Sequence, residues 1–388
     1  MILKALKRWL ENCFSPWSHA LTSILALCFF YFLSTHLFHW IIYEAHWAVI
    51  EDNLYLLLFG IYPPYLIWRV CLGLSFIFLS LSLFACHYLK PNALKVKGYA
   101  IIAFLALILF LYKGAVPAFS LLILILAVFI PMHFMAVIRK ASNLFMFLIF
   151  VLLNALACLS IIGFLKAGAF TYLSTSILSG FLLTYLLSFF SIILSFPLGL
   201  LLALARQSNL WILKKTATLF IECVRGVPLI TVLFMMQVMF PLFLPDYIEV
   251  DRVLRALWGL VIFSSAYLAE DIRGGLQSLH KGQYEAADAL GMSYYHKTFY
   301  VILPQSLKEV VPVLAGRFIS LFKDTSLVAV VGLLDLVGVA QSVISNPDYL
   351  GREKEVYLFI GLLYWSFAFT MSKFSAKFEK TKLVTGEC

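Results

Sequence analysis

Charged residues are scarce in this sequence. They make up 13% of its 388 residues, whereas hydrophobic residues make up 63%. A soluble globular domain carries about 25% charged residues and is about half apolar, so the composition excludes that class. Runs of about 20 apolar residues recur along the chain, and each can cross a hydrocarbon core of about 30 Å as a helix. The expected fold class is an all-α integral membrane protein with about ten transmembrane helices.

Motifs of catalysis and nucleotide binding are missing as well. No GxxxxGK[ST] phosphate loop occurs, so the chain has no means of cradling ATP itself. Neither HExxH nor GxGD occurs, and no serine stands with a base inside the apolar runs, which argues against an intramembrane enzyme. No CxxC pair occurs, and the cysteines are interpreted as small hydrophobes.

Basic residues outnumber acidic ones, with 29 Lys and Arg against 20 Asp and Glu. Most of them fall on alternate loops and on the tails, which is the positive-inside pattern of a polytopic membrane protein. No nucleic-acid partner is therefore expected, and both termini are expected in the cytoplasm. The first apolar run is too long for a signal peptide and is expected to be an uncleaved anchor. The candidate spans lie near residues 20–43, 66–89, 98–112, 116–137, 144–165, 173–205, 217–244, 254–275, 306–334 and 356–376.

The two halves of the chain differ in kind. Residues 1–168 are nearly uniform apolar helix, whereas residues 169–388 carry charges inside their spans and one long polar loop near 276–304. An ionisable group at bilayer depth costs about 2.5 to 3.5 kcal/mol, so it indicates a function or a buried partner. We predict an N-terminal membrane extension of about five helices, followed by a functional core of about five helices.

The polar loop has the pattern of two short helices joined by an elbow. The run QYEAADAL is rich in helix formers, and Gly291 follows it where a left-handed C-terminal cap belongs. A second amphipathic run covers 293–302, and Pro304 disfavours helix at Leu303 before the next span. We expect these helices to lie beside the membrane on the cytoplasmic side.

The stretch EAADALGMSYYHKTFYVILP resembles the EAA loop of ABC-importer permeases. The resemblance implies that this loop forms coupling helices that insert into a groove of a separate ATPase subunit. The positions that match the family pattern are Glu285, Ala286, Ala287, Gly291, Leu303 and Pro304.

The stretches that flank this loop resemble one group of ABC-importer permeases in particular. RGVPLI, AYLAEDIRGGLQS, LPQSLKEVVP and LFKDTSLVAVVG are similar to the permeases of polar and general amino-acid importers, over roughly residues 172–385. The length and the extra N-terminal spans resemble the larger membrane subunit of general L-amino-acid systems. The resemblance implies a location in the bacterial inner membrane and a role as a transporter subunit rather than an enzyme. The implied partners are ATP-binding cassette ATPase subunits that hold ATP and Mg²⁺, a second homologous permease subunit, a periplasmic or extracellular amino-acid-binding protein and an L-amino-acid substrate.

One predicted span carries several charges. The pattern RFISLFKDTSLVAV places Arg317, Ser320 and Asp324 on one helical face. The three charges of this span, Arg317, Lys323 and Asp324, would cost about 8 to 10 kcal/mol against lipid, so they must face protein or a wet cavity. Either this helix lines the translocation path and meets the ends of a zwitterion, or it belongs to a structural ion-pair network. The path candidates here are Lys323, Asp324, Thr325 and Ser326.

Arg317 of this span is joined by Arg225, Glu270 and Arg273 as translocation-path or core candidates, and each of these three is expected in a pair at i, i+3 spacing. Glu222 and Arg225 are expected to pair near the start of one span, and Glu270 and Arg273 near the end of the next. Asp271 is a further carboxylate to which the family pattern assigns no role.

Gly226 and Pro228 complete this set of candidates. Glycine and proline together in a membrane helix indicate a break or a kink. Such a bent helix is suited to a gate, and a static packing kink is an equally good interpretation.

Two other hypotheses remain open. A secondary transporter coupling ion flow through Asp324 or Glu270 is the alternative function, although no internal inverted repeat is apparent. His36, His39 and His46 lie near the outer end of the first span and invite a metal site. Their irregular spacing among aromatic residues favours an interfacial belt, so no metal is expected.

Overall fold

A computed structural model describes residues 17–88, 143–163, 174–245 and 247–385. Most of these residues are helical, and the described part contains no strand beyond a single bridge between Gly180 and Asp335. The predicted spans 98–112 and 116–137 lie outside the described residues.

The N-terminal part of the described chain contains four helices. They are α1 Trp17–His39, α2 Ala48–Phe59, α3 Ile67–Tyr88 and α4 Asn143–Ile162. A π turn, Trp40–Glu44, extends α1, and a 3₁₀ turn, Pro64–Leu66, leads into α3.

The C-terminal part of the described chain contains nine helices. They are α5 Gly180–Gln207, α6 Trp211–Arg225, α7 Leu229–Phe234, α8 Arg252–Ser278, α9 Lys281–Ala289, α10 Tyr294–His296, α11 Leu303–Asp324, α12 Leu336–Ile344 and α13 Glu353–Thr385. Irregular helical turns extend α7 through Phe243, α10 through Ile302 and α11 through Val331.

Several described helices are long and apolar enough to cross a membrane. The single helices of this kind are Leu21–Glu44, Gly180–Gln207, Arg252–Ser278 and Glu353–Lys373. The bent pairs that act together as further candidates are Ala48–Phe59 with Pro64–Ile77, and Trp211–Arg225 with Leu229–Phe243. The described residues therefore contain 4 to 6 candidate spans. This confirms an all-helical, multi-pass membrane protein, while the number of about ten spans stays a prediction.

The predicted span 306–334 corresponds to α11 and its 3₁₀ extension. Helix α11 is not among the helices that are apolar enough to count as candidate spans, because it is rich in ionisable side chains. These are Lys308, Glu309, Arg317, Lys323 and Asp324.

The predicted break at Gly226 and Pro228 is present. Helix α6 ends at Arg225, α7 begins at Leu229, and their directions differ by 105°. Pro228 has an extended backbone and cannot donate a helical hydrogen bond, so the break follows from the local sequence.

The predicted interruption at Leu303 is wrong. Leu303 has helical angles and begins α11, with Pro304 at the start of the helix. The π turn Lys297–Ile302 runs directly into this helix. Proline lacks only a backbone donor that the first helical turn leaves unused, so Pro304 is tolerated there.

Helix α8 lies between α5 and α11, and glycine allows close contact on both sides. A Cβ on Gly199 of α5 would lie 2.7 Å from Leu268 Cβ of α8. A Cβ on Gly275 of α8 would lie 2.0 Å from a Val310 methyl group and 3.0 Å from the Ser306 carbonyl oxygen of α11. Small residues at membrane helix crossings permit this approach of the two backbones. The three helices thus form the centre of the core.

Residues of the predicted N-terminal extension hydrogen-bond to the start of this core. Gly60 turns at a φ of +62°, and the backbone N–H of Ile61 donates to Ser179 Oγ at 2.9 Å. The hydroxyl of Tyr185 on α5 donates to Asn154 Oδ1 on α4 at 2.7 Å. The division into 1–168 and 169–388 stays a prediction, and these bonds cross it.

By compactness the chain divides into two units, residues 54–343 with 360–388 and residues 1–53 with 344–359. In the smaller unit, the buried Glu355 accepts the backbone N–H of His46 at 3.1 Å, and the Tyr349 hydroxyl donates to Asp52 at 3.1 Å. The first bond connects the segment that precedes α2 to the first turn of α13, and the second connects α2 to the turn before α13.

Candidate functional site

The polar loop folds as an elbow between α8 and α11. Helix α9 ends in a left-handed glycine, Gly291, with a φ of +68°. The backbone N–H of Met292 donates to the Ala287 carbonyl at 3.1 Å, and that of Gly291 donates to the Asp288 carbonyl at 2.9 Å. This is the bond pattern of a Schellman cap, which favours glycine because other residues resist positive φ. The chain then turns into α10, as the sequence predicts.

The elbow has an inner and an outer side. Ala287 and Leu303 are buried, and the Tyr284 hydroxyl donates to the Leu276 carbonyl of α8 at 3.1 Å. A second tie joins the ends of the elbow, where Gln305 Nε2 donates to Gln283 Oε1 at 3.1 Å. The elbow is therefore fastened to the ends of α8 and α11.

The outer side is open to solvent and partly apolar. Glu285, Ala286, Gly291 and Pro304 are exposed. Leu290 is 80% exposed, and Tyr294 and Tyr295 are exposed beside it. Exposed apolar groups rimmed by polar ones are typical of protein-binding surfaces.

A charge network joins the C-terminal ends of α5 and α6 to α8. Glu270 on α8 accepts Arg206 Nη1 of α5 at 2.9 Å and Arg273 Nε of its own helix at 3.0 Å. Arg225 Nη1 of α6 lies 3.7 Å from the same carboxylate. The Glu270–Arg273 pair matches the expectation from sequence. Glu222, expected to pair with Arg225, instead contacts Arg206 at 2.8 Å.

A second pair links α8 to α11. Arg317 donates to both carboxylate oxygens of Asp271, at 3.0 and 3.2 Å. The guanidinium groups of Arg225 and Arg317 lie 5.6 and 4.8 Å from the centre of the Tyr267 ring, within cation–π range. Asp271, which had no assigned role, is thus the partner of Arg317.

Sequence reasoning missed Arg206 and Tyr267. Arg206 falls in a basic loop and was counted only as a positive-inside charge. Tyr267 stands three residues before Glu270 on α8, and this i, i+3 spacing was a local signal that placed both on one face.

The charged residues after Arg317 are outside both of these ion-pair groups. Lys323 is exposed and Asp324 half-buried, and neither has an ion-pair partner within 4.0 Å among the described residues. Thr325 is fully buried, and its hydroxyl donates to the Phe322 carbonyl at 2.7 Å. Ser326 Oγ donates to the Lys323 carbonyl at 2.8 Å. The two hypotheses for this helix therefore fit different residues: Arg317 belongs to a network, and Lys323 and Asp324 stand apart from it.

Two of the three histidines near the first span contact Glu44, His39 at the Glu44 side chain and His46 at the Glu44 backbone carbonyl. His39 Nδ1 lies 3.1 Å from Glu44 Oε1, and His46 Nδ1 lies 2.8 Å from the Glu44 carbonyl oxygen. Within the described ranges, no group of three or more His, Cys, Asp or Glu has a geometry that could hold a metal ion.

Comparison with known proteins supplies the decisive observation. Residues 195–381 match the family described as "Binding-protein-dependent transport system inner membrane component". Over 385 residues, the chain is 34% identical to the inner membrane amino-acid ABC transporter permease protein YhdY of Escherichia coli, and the match covers 95% of this chain and 91% of that protein. The chain belongs to this permease family.

Two further proteins are each similar to about half of the permease. The permease is 46% identical over 202 residues to the glutamate/glutamine/aspartate/asparagine transport system permease protein BztC of Rhodobacter capsulatus, covering 52% of this chain and 46% of that protein. It is 34% identical to a chain in the crystal structure of an amino acid ABC transporter with histidines, with a TM-score of 0.47, covering 51% of this chain and 90% of that chain.

The family match includes every residue of the elbow and of the charge network. The resemblance read from the sequence is therefore confirmed at the level of the family. As a transport-system membrane component, the permease is a transporter subunit and not itself an enzyme.

Proposed function

We propose that this permease is the membrane subunit of an ATP-driven importer for polar or general L-amino acids in the bacterial inner membrane, with both termini in the cytoplasm. The observation that carries the proposal is the elbow, which presents Glu285, Ala286 and Gly291 to solvent while Tyr284 ties it to α8. A push on such an elbow is transmitted to α8 and α11 because both helices are hydrogen-bonded to it. The names of the relatives support the amino-acid substrate.

The partners follow from the same proposal. ATP-binding cassette ATPase subunits bind ATP and Mg²⁺ and receive the elbow in a groove. A second homologous permease subunit completes the transmembrane path, and a periplasmic or extracellular amino-acid-binding protein delivers the substrate. No cofactor binds to this chain itself.

The coupling residues are proposed as two groups. Glu285, Ala286 and Gly291 form the surface that meets the ATPase. Ala287 and Leu303 are buried and form the inner anchor. Pro304 belongs to this anchor as the exposed residue that follows Leu303 at the start of α11.

The translocation-path candidates also separate into two groups. We propose that Arg225, Glu270, Arg273 and Arg317 hold the ends of α5, α6, α8 and α11 together, so that the path is closed here until the helices separate. The break at Gly226 and Pro228 lets α6 move apart from α7. Lys323, Asp324 and Ser326 are proposed to meet the substrate, whereas the buried Thr325 supports them from behind.

The test compares two substitutions of left-handed glycines. Gly291→Asp strains the elbow, and Gly351→Asp imposes the same strain elsewhere, because both glycines have positive φ and open space around the Cβ position. The complete complex is placed in proteoliposomes with ATP on the ATPase side and binding protein on the other side. Uptake of labelled acidic, basic, amide and branched L-amino acids is then measured together with ATP hydrolysis.

We expect Gly291→Asp to lose at least about tenfold in uptake and in stimulated ATP hydrolysis, which corresponds to about 1.4 kcal/mol of coupling. Gly351→Asp should retain both. Uptake without ATP that an uncoupler abolishes would contradict the proposal and would indicate an ion-coupled carrier. Equal loss in both variants would show a general folding defect rather than loss of coupling.

A further inference from the structure

A fully buried carboxyl group lies directly before α12. Asp335 has no exposed surface, and its Oδ1 accepts the backbone N–H of Gly338 at 2.9 Å. Its Oδ2 is buried and has no hydrogen-bond partner. A buried polar atom without a partner costs free energy, so the state of this group needs a physical explanation.

Within the described part of the chain, the surroundings of Asp335 contain hydroxyl groups and no cationic side chain. Tyr364 of α13 is the titratable side chain that faces Asp335, and its hydroxyl also lies close to Thr184 of α5 and Thr325 after α11. That hydroxyl oxygen is buried and makes no hydrogen bond of good geometry. From α12 only backbone groups face the carboxyl. Among the described residues, Asp335 has no lysine, arginine or histidine partner.

Thr184 and the start of α5 already hydrogen-bond to the residues on either side of Asp335. Thr184 Oγ1 accepts the backbone N–H of Leu336 at 3.1 Å and donates to the Gly180 carbonyl at 3.4 Å. The backbone N–H of Gly180 in turn donates to the Leu334 carbonyl at 2.8 Å. The start of α5 is thus held against both residues that flank Asp335.

Among the described residues, a charged carboxylate in this place would have backbone N–H donors but no cationic side chain to compensate it. An isolated buried charge shifts its pKa and becomes neutral rather than remaining ionised. Asp335 follows the predicted span 306–334 and lies outside the helices counted as candidate spans. Burial raises the pKa of Asp335 from 3.8 to about 7, and the backbone N–H of Gly338 opposes this shift only in part.

We propose that Asp335, surrounded by Tyr364, Thr184 and Thr325, is a proton-binding site of the permease. One proton from bulk water binds to Oδ2, because Oδ1 already accepts the Gly338 N–H. The carboxylate becomes a neutral carboxyl, which gains a donor for the unpartnered Tyr364 oxygen. The neutral group keeps α5, α12 and α13 packed together, and the proton leaves only when water reaches the cluster. The inference does not depend on which substrate the permease carries.

Infrared spectroscopy of the purified full-length permease tests the proposal. A protonated carboxyl has a C=O stretch that is separate from that of the carboxylate and shifts in deuterated water. We expect this band at about pH 5 to 6 and its loss near about pH 7 to 8, because the titration midpoint is close to neutral. At about pH 6, where ordinary carboxyls are ionised, the band should be strongly reduced in Asp335→Asn and retained in Asp348→Asn, in which an exposed carboxyl is replaced.

Thermal unfolding across pH is the second measurement. The folded state keeps the Asp335 proton up to about pH 7, whereas the unfolded chain loses it near 3.8. Between these values the unfolded state binds fewer protons, so stability falls as pH rises and levels off above about pH 7. The melting temperature of wild type, minus that of Asp335→Asn, should decrease through this window. The difference between wild type and Asp348→Asn should stay constant.

Either measurement can overturn the proposal. A spectrum without a protonated carboxyl band at about pH 6, where ordinary carboxyls are ionised, would overturn it even if Asp335→Asn fails to fold, since it needs only wild type. Replacing K⁺ with Na⁺ at fixed pH separates a proton from a metal cation. A band or melting temperature that responds to Na⁺ rather than to pH would assign the cluster to a cation and contradict proton binding.

Discussion

Arg206 Nη1 and Glu270 Oε2 lie 2.9 Å apart, joining the C-terminal end of α5 to α8 across 64 residues of sequence. Arg206 also reaches Glu222 of α6, and Glu270 also receives Arg273. One arginine and one glutamate therefore connect three helices. The network lies where α6 ends and the chain bends by 105° into α7, so its charges hold α6 to α5 and α8 at this break.

Glu270→Gln should weaken this network. The substitution keeps the shape of the side chain but leaves Arg206 and Arg273 without their shared charge. Because Glu270 is 21% exposed, the expected loss of stability lies between that of a surface and a buried pair, about 1 to 3 kcal/mol. The melting temperature of the complex in detergent measures this loss. Glu249→Gln, which removes an exposed carboxylate, is the control and should change it little.

A gain of transport-independent ATP hydrolysis in Glu270→Gln would support the proposed closing role. An unchanged melting temperature together with unchanged hydrolysis would contradict it.

Arg317→Lys should destabilise the contact between α8 and α11 although the charge is kept. Lysine cannot bind both oxygens of Asp271 at once or place a planar cation over Tyr267. A double-mutant cycle with Asp271→Asn should give a coupling energy of about 0.5 to 3 kcal/mol, measured from chemical or thermal unfolding. Additive effects of the two substitutions would show that the pair is incidental.

Gly275→Ala should force α8 and α11 apart, and Gly274→Ala should not. A new Cβ at Gly275 would lie 2.0 Å from a Val310 methyl group, whereas a Cβ at Gly274 meets nothing within 4 Å. Overpacking of this kind costs about 1 to 3 kcal/mol. Thermal unfolding of the two variants measures the difference.

The same contact offers a rescue. Adding Val310→Ala to Gly275→Ala should restore part of the lost stability, because Val310→Ala removes the methyl groups that obstruct the new Cβ. The Ser306 carbonyl oxygen at 3.0 Å remains and limits the recovery. A double variant no more stable than Gly275→Ala would locate the strain in the backbone instead.

Pattern-based reasoning succeeded where the cause is local. Pro228 cannot continue a helix, and the break between Arg225 and Leu229 follows directly. The turn at Gly291 is equally local, since a left-handed cap needs glycine. The error at Leu303 shows the limit of such rules, because the continuity of the π turn with α11 outweighed the preference of the residue before proline.

Local sequence rules could not predict which charged residues pair between different helices. Glu222 was expected to bind Arg225, three residues away, but Arg206 of another helix lies within reach of it. Asp271 had no interpretation until α11 placed Arg317 beside it. The buried state of Asp335 was missed as well, because nothing in the stretch GLLDLVG distinguishes a buried carboxyl from an exposed one in a loop.

The sequence by itself determined that this chain is a helical membrane protein, that it belongs with importer permeases, and where its elbow and its main break lie. These properties depend on composition, on residue spacing and on glycine and proline, which act within one or two helical turns. Only the tertiary structure decided which charges meet, which face of the elbow is free, and that Asp335 has no counter-ion among the residues that the structure describes. Those outcomes depend on distances between helices far apart in the chain, and such distances are set by packing at Gly199 and Gly275 rather than by neighbouring residues.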